Sequence, residues 1–309
     1  MPNRHEPDSE FVERLRRQIE SEIRRRDRFP DVRSGKRRGL TLAALMLLSM
    51  GVGAAVTAAA YQAADDARLE RLVSAFEIQA GMASDRLELA NAELAGLQRD
   101  LELGMVRLTE VFEANIRVAA AEAALETVRL DLEEARIMGR EPLDDLAAPL
   151  VGGRDFVSER LRIDRTAAEA ALRLEVQKLA GAERRLELGL MDVVDIDRAR
   201  ARVVEIEAAV DALRRKLEVR GQVLGGEIGD VEAGLRGLEI ETEQRLRALE
   251  PRVGIAESEL DLAEEALRIG TGDEVAIREA RLRRLQAETG LVEAEIELAR
   301  VRRQLGEQR

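Results

Sequence analysis

Very few residues in this chain could carry chemistry. Its 309 residues include one histidine, no cysteine and no tryptophan. His5 stands alone in a polar segment, so neither a Ser-His-Asp arrangement nor a three-ligand zinc site can be assembled around it. Carboxylates are plentiful, but they alternate with arginine at helical spacing, as in Glu122, Glu126, Arg129, Glu133 and Arg136. That pattern describes a solvated, ion-paired helix surface rather than an acid–base pair. No glycine-rich loop precedes a basic residue in the order a phosphate site requires. Arg117, Arg202 and Arg283 recur at one position of a repeat described below; each flanks a core position that its aliphatic stem can cover. The expectation is a chain with no catalytic, cofactor-binding or metal-binding residues, and not an enzyme.

The elements around these residues follow from composition. Charged residues make up 36% and aromatic residues 2% of the chain. The apolar residues are nearly all Leu, Ala, Val and Ile, set among Glu and Arg, a mixture that builds long helices and coiled coils. Residues 1–38 hold 12 Lys or Arg and 8 Asp or Glu, and residues 39–64 hold none. The remainder keeps 37 of the 49 basic and 53 of the 61 acidic groups, a net −16 that disfavours nucleic acid. The uncharged window exceeds the roughly 20 residues a helix needs to cross a bilayer, which predicts a membrane helix over 39–64. Arg33, Lys36, Arg37 and Arg38 precede it and Asp65 and Asp66 follow, so the N-terminus is expected in the cytoplasm and the acidic bulk outside it. A cleaved signal peptide is the rival reading, since small residues close the window. A 38-residue leader and so long an apolar run argue against it. Within 1–38, Phe11, Leu15, Ile19 and Ile23 step by four along a face surrounded by arginines, a basic amphipathic segment suited to anionic lipid or to a cytoplasmic protein.

Beyond residue 64 the chain repeats itself. Leu101–Gly104, Leu186–Gly189 and Leu267–Gly270 align at spacings of 85 and 81 residues. The same offsets after each glycine carry Val111, Ile196 and Ile277; Ala114, Ala199 and Ala280; and the three arginines. A seven-residue period runs on both sides of each glycine: Leu69, Val73, Phe76, Ala80, Ala83, Leu87, Ala90, Leu94, Leu97 and Leu101 before Gly104, and Val111, Ala114, Val118, Ala121, Leu125, Val128, Leu132 and Ala135 after it. After Gly189 it gives Ile196, Ala199, Val203, Ile206, Val210, Leu213 and Leu217, and after Gly270 Ile277, Ala280, then Arg284 as an interruption, Ala287, Leu291, Ala294, Leu298, Val301 and Leu305. Such heptads specify a helix packed along one seam against a partner. Each glycine suits the left-handed residue that closes a helix, with Thr109, Asp192 or Asp195, and Asp273 as caps for the helix that follows. Helices joined so shortly run antiparallel. Loops are expected around Gly139 to Gly153 and over Gly221 to Gly229, and a kink without reversal at Pro251. The fold class is therefore all-α: a single transmembrane helix followed by three antiparallel coiled-coil hairpins, six long helices over 65–138, 155–220 and 230–305. The three turns are expected at the membrane-distal end.

The turn segments Gly104–Ala114 and Gly189–Ala199 resemble the periplasmic hairpin tips of TolC-type outer-membrane efflux proteins. The shared features are the glycine, the acidic Glu110 or Asp195, the apolar Val111 or Ile196, and Ala114 or Ala199. Arg99 with Leu103, and Arg184 with Leu188, are similar to the start of the tip motif in periplasmic adaptor proteins, although Glu110 and Asp195 replace its serine. Neither the aromatic-girdled strands of an outer-membrane barrel nor the β-rich domains of adaptors have a counterpart. The resemblance implies a helical portion only, in the inner membrane of a double-membraned bacterium with its hairpins in the periplasm. Gly104, Met105, Val106, Leu108, Gly189, Leu190, Met191, Val193 and Gly270 then become candidate docking residues for an envelope or efflux-type protein. A signalling role through the basic tail and a passive spacer role stay open beside it, and the repeats also admit a homo-oligomer.

Overall fold

The computed structural model describes residues 46–307, with side chains from residue 67 onward. Six helices follow one another: α1 Met46–Glu102, α2 Leu108–Met138, α3 Phe156–Glu187, α4 Val193–Leu224, α5 Asp230–Arg268 and α6 Glu274–Glu307. The described residues contain no strand, only an isolated bridge between Val151 and Arg154. The amphipathic segment with Phe11, Leu15, Ile19 and Ile23 lies outside the described residues. So does 39–45 of the expected membrane helix; the rest of that window falls on the part of α1 whose side chains are not described. Among the described residues no helix is long and apolar enough to cross a membrane.

Within the unit Gln62–Arg309, ion pairs show how the helices lie. Glu93 meets Arg117 at 2.8 Å and Glu77 meets Arg136 at 2.6 Å across α1 and α2. Across α5 and α6, Glu264 meets Arg281 at 2.9 Å and Glu239 meets Arg302 at 3.0 Å. As one residue number falls its partner's rises, so each pair is antiparallel. The pairing continues between hairpins: Glu113 with Lys178 and Asp131 with Arg160 join α2 to α3, while Arg198 with Glu259 and Glu205 with Arg252 join α4 to α5. Among the described residues, α2 to α6 touch only their neighbours in sequence. The hairpins thus form a row, each helix handing on to the next, with no helix wrapped on all sides.

The heptads explain the inner seams. All ten expected positions of α1, from Leu69 to Leu101, are buried or half-buried, as are all eight of α2, the seven of α4 from Ile196 to Leu217, and Ile277, Ala280, Ala294, Leu298 and Val301 of α6. Ala114, Ala280 and Ala294 are completely buried, so the small residues let the backbones approach closely. A row adds a second seam to every inner helix: in α4 this is Val194, Ala201, Ala208, Ala212 and Val219, all buried. Arg284, which interrupts the α6 series, is half-buried and ion-paired to Glu288 at 3.2 Å. α5 continues through Pro251 without reversing.

Two local expectations change. Thr109 lies inside the first turn of α2 rather than at its cap; Arg107 takes the cap position, and its N–H is met by Glu110 Oε1 at 3.4 Å. The Glu110 carboxylate reaches back three residues to that donor, whereas Thr109 is already helical. Gly221 belongs to α4, because its carbonyl accepts the Gly225 N–H and carries the helix to Leu224; the loop is only 225–229. Asp273 caps α6 as its type suggests, accepting from the Ala276 N–H at 2.7 Å. Asp192 stands at the cap position of α4 without a side-chain bond there.

Candidate functional site

Antiparallel order brings the turns at Gly104, Gly189 and Gly270 to one end of the row and the loops 139–155 and 225–229 to the other. The three turns are closed in one way. Gly104 has φ +70°, Gly189 +69° and Gly270 +78°, a region that a side chain disfavours. Gly104 N–H donates to Leu101 O at 2.9 Å and Met105 N–H to Asp100 O at 2.8 Å; Gly189 and Leu190 repeat this with Leu186 and Arg185, and Gly270 and Thr271 with Leu267 and Ala266. This double closure normally buries the residue after the glycine against the residue that accepts its N–H. Here the acceptors Asp100 and Arg185 are charged, so Met105 and Leu190 gain no such contact. Leu190 is 72% exposed and Met105 64%.

Around them Leu103, Leu108 and Phe112 at the first turn, Leu188 and Val193 at the second, and Ile269 and Val275 at the third are also exposed. Val106 and Met191 are half-buried at the base of their turns, and the glycines Gly104, Gly189 and Gly270 face solvent. Every expected tip residue therefore lies at the same end, and the third turn, though degenerate in sequence, adds apolar residues of its own. Basic and acidic groups frame the second and third tips: Glu259 accepts from Arg198 at 2.6 Å and from Arg283 at 3.0 Å. These hydrogen bonds, Arg198 first, hold the Glu259 carboxyl below its ordinary range. Arg117 binds Glu93 from the same repeat position as Arg283. The recurring arginine is thus a clamp across its own hairpin. In the second hairpin the facing position is Lys178, and it turns instead to Glu113.

The opposite end contains what the heptads did not announce. Loop 139–155 folds inward, and Leu146, Ala148, Val157, Ala212, Val219, Ala233 and Ile240 form a core there. Two arginines fix the loop. Arg220 is fully buried, donating to the carbonyls of Leu146 and Ala148 and to Asp155 Oδ1 at 2.9 Å. Arg160 binds Glu134 at 2.6 Å, Asp131 at 2.9 Å and the Leu143 carbonyl at 2.6 Å. Leu146 also presses on α5 where only Gly237 leaves room; a Cβ there would come within 3.0 Å of its side chain. Every charge in this cluster has a protein partner, so the geometry describes a lock rather than a reactive centre. Among the described residues no group of three or more His, Cys, Asp or Glu is placed to hold a metal ion. Compared with family models, with curated proteins and with solved structures, the chain matches none.

Proposed function

We propose that this protein is a non-enzymatic, single-pass membrane protein of the inner membrane of a double-membraned bacterium, anchored by residues 39–64 with its N-terminus in the cytoplasm. Its coiled-coil hairpins lie in the periplasm and dock through their turns onto an envelope or efflux-type component. The observation that carries this reading is the cluster of exposed apolar residues at one end of the row, placed on turns whose own closure has no use for them. Clustered apolar residues in water mark contact sites more often than folding needs. Three adjacent turns can also combine weak contacts through high effective concentration. The resemblance of Gly104–Ala114 and Gly189–Ala199 to TolC-type tips supports the same reading, as does the uncharged window followed by an acidic segment. The basic face around Phe11, Leu15, Ile19 and Ile23 would rest on anionic lipid or a cytoplasmic protein.

The test is a photo-crosslinker placed at Leu190 in cells. It should capture an envelope protein, and Leu190→Ser, Met191→Ser and Val193→Ser together should abolish capture from a crosslinker at Met105 while circular dichroism and melting stay unchanged. A variant that loses stability but still captures its partner would sink the docking reading.

A further inference from the structure

The row has two open edges, and comparison among the repeats shows what they are shaped to meet. Counted from the turn glycines, the contact between hairpins recurs at fixed positions. Nine residues after one glycine meets eleven before the next: Glu113 with Lys178 at 3.1 Å, then Arg198 with Glu259 at 2.6 Å. Twenty-seven after meets twenty-nine before: Asp131 with Arg160 at 2.9 Å, then Lys216 with Glu241 at 2.6 Å. One geometry therefore joins the first hairpin to the second and the second to the third.

The apolar stripe of that geometry is present where it has no partner. Twelve residues after the glycine stand Ile116, half-buried, and Ala201, buried; in the third hairpin Leu282 takes this place and is 56% exposed. Fifteen before the glycine stand Leu174 and Ile255, both half-buried; in the first hairpin Leu89 takes this place and is 71% exposed. Twenty-six before, Ile163 packs against the core around Leu130 and Gln244 stands in the third hairpin, while Ile78 in the first is 62% exposed. The two edges are the two halves of an interface the chain already builds twice.

We propose that copies of this chain join edge to edge, the α6 stripe Leu282, Leu285, Val292 and Ile296 of one copy seating on the α1 stripe Ile78, Met82 and Leu89 of the next. A second copy is the occupant because it offers the missing half in the same register, which makes a heterologous contact. The positions that carry ion pairs inside the chain here bring Glu279 toward Glu93. Glu93 is already neutralised by Arg117, and one exposed like-charge pair weighs little against burial of the stripe. This contact does not involve the turns and is independent of what they bind.

The chain has no cysteine, so paired cysteines report cleanly. Purified full-length protein in mild detergent carrying Leu89→Cys is mixed with protein carrying Leu282→Cys and oxidised gently. A disulfide dimer containing one of each is expected, with neither variant crosslinking to itself. Glu279→Lys should raise the yield by restoring an opposite charge, and Leu89→Glu should remove the larger species on sizing while circular dichroism is unchanged. No mixed dimer would overturn the proposal. So would self-crosslinking of one variant, or a doubly substituted chain that closes only on itself. The serine variant of the second tip should crosslink normally, which separates this contact from docking.

Discussion

The two ends of the helical row use their apolar residues in opposite ways. At the loop end, Leu146, Val157 and Val219 are withdrawn from water and two buried arginines tie the connecting segment down. At the turn end, Leu188, Leu190 and Met105 stand in solvent on turns that backbone hydrogen bonds close at the glycine. Both ends are built by the same repeating helices, so the difference lies in the connections. A long loop must satisfy its own backbone and does so by folding into the row. A five-residue turn satisfies itself and leaves its side chains free.

Removing Arg220 should break this contrast most severely. Arg220→Ala leaves Asp155 without its cation and two buried carbonyls without a donor, and is expected to cost about 3–5 kcal/mol in chemical denaturation. Gly189→Ala forces a side chain into left-handed backbone at φ +69° and should cost about 1–2 kcal/mol. The triple serine variant of the second tip should change stability by no more than about 0.5 kcal/mol. If the tip variant proved as costly as Arg220→Ala, the turn residues would be core and not a contact surface.

Acid should act on the loop end with a definite sign. Burial pushes Asp155 upward, but hydrogen bonds from Arg220 and Ser158 hold it below its ordinary 3.8. A carboxyl whose folded value lies below its unfolded one contributes fully above about pH 4 and loses that contribution as pH falls through the folded value. Asp131 acts the other way, since burial outweighs Arg160 and raises it; ionising it costs stability as pH rises through its folded value. The melting temperature should therefore fall below about pH 4, and the fall should be shallower in Asp155→Asn, which has already lost the charge.

The helices and turns were legible because heptads and turn glycines are local signals. The seams of α1, α2 and α6 could be read residue by residue, and each helical turn follows from one glycine. The second seam of α4 was harder to see: Val194, Ala201 and Ala208 recur once per seven residues with charged residues between them, and they matter only because a second neighbour exists. The loop lock is hidden because arginine at helical spacing has the pattern of a solvated surface. Yet Arg220 occupies the next step of the series Val210, Leu213 and Leu217. A charged residue in register with a core seam was the available sign of a buried cluster. Its partners, Asp155 and two carbonyls 72 and 74 residues away, could not be found from spacing.

The contacts between hairpins also encode their order. At equivalent positions the first hairpin presents Glu113 and Asp131, the second answers with Lys178 and Arg160 and then presents Arg198 and Lys216, and the third answers with Glu259 and Glu241. Seating the third hairpin directly on the first would place Glu113 against Glu259 and Asp131 against Glu241. The apolar seams are too alike to forbid that arrangement. The alternating sign of the clamps therefore adds a bias, two opposed pairs at each junction against two like-charge pairs in the swapped order, toward a single sequence of neighbours.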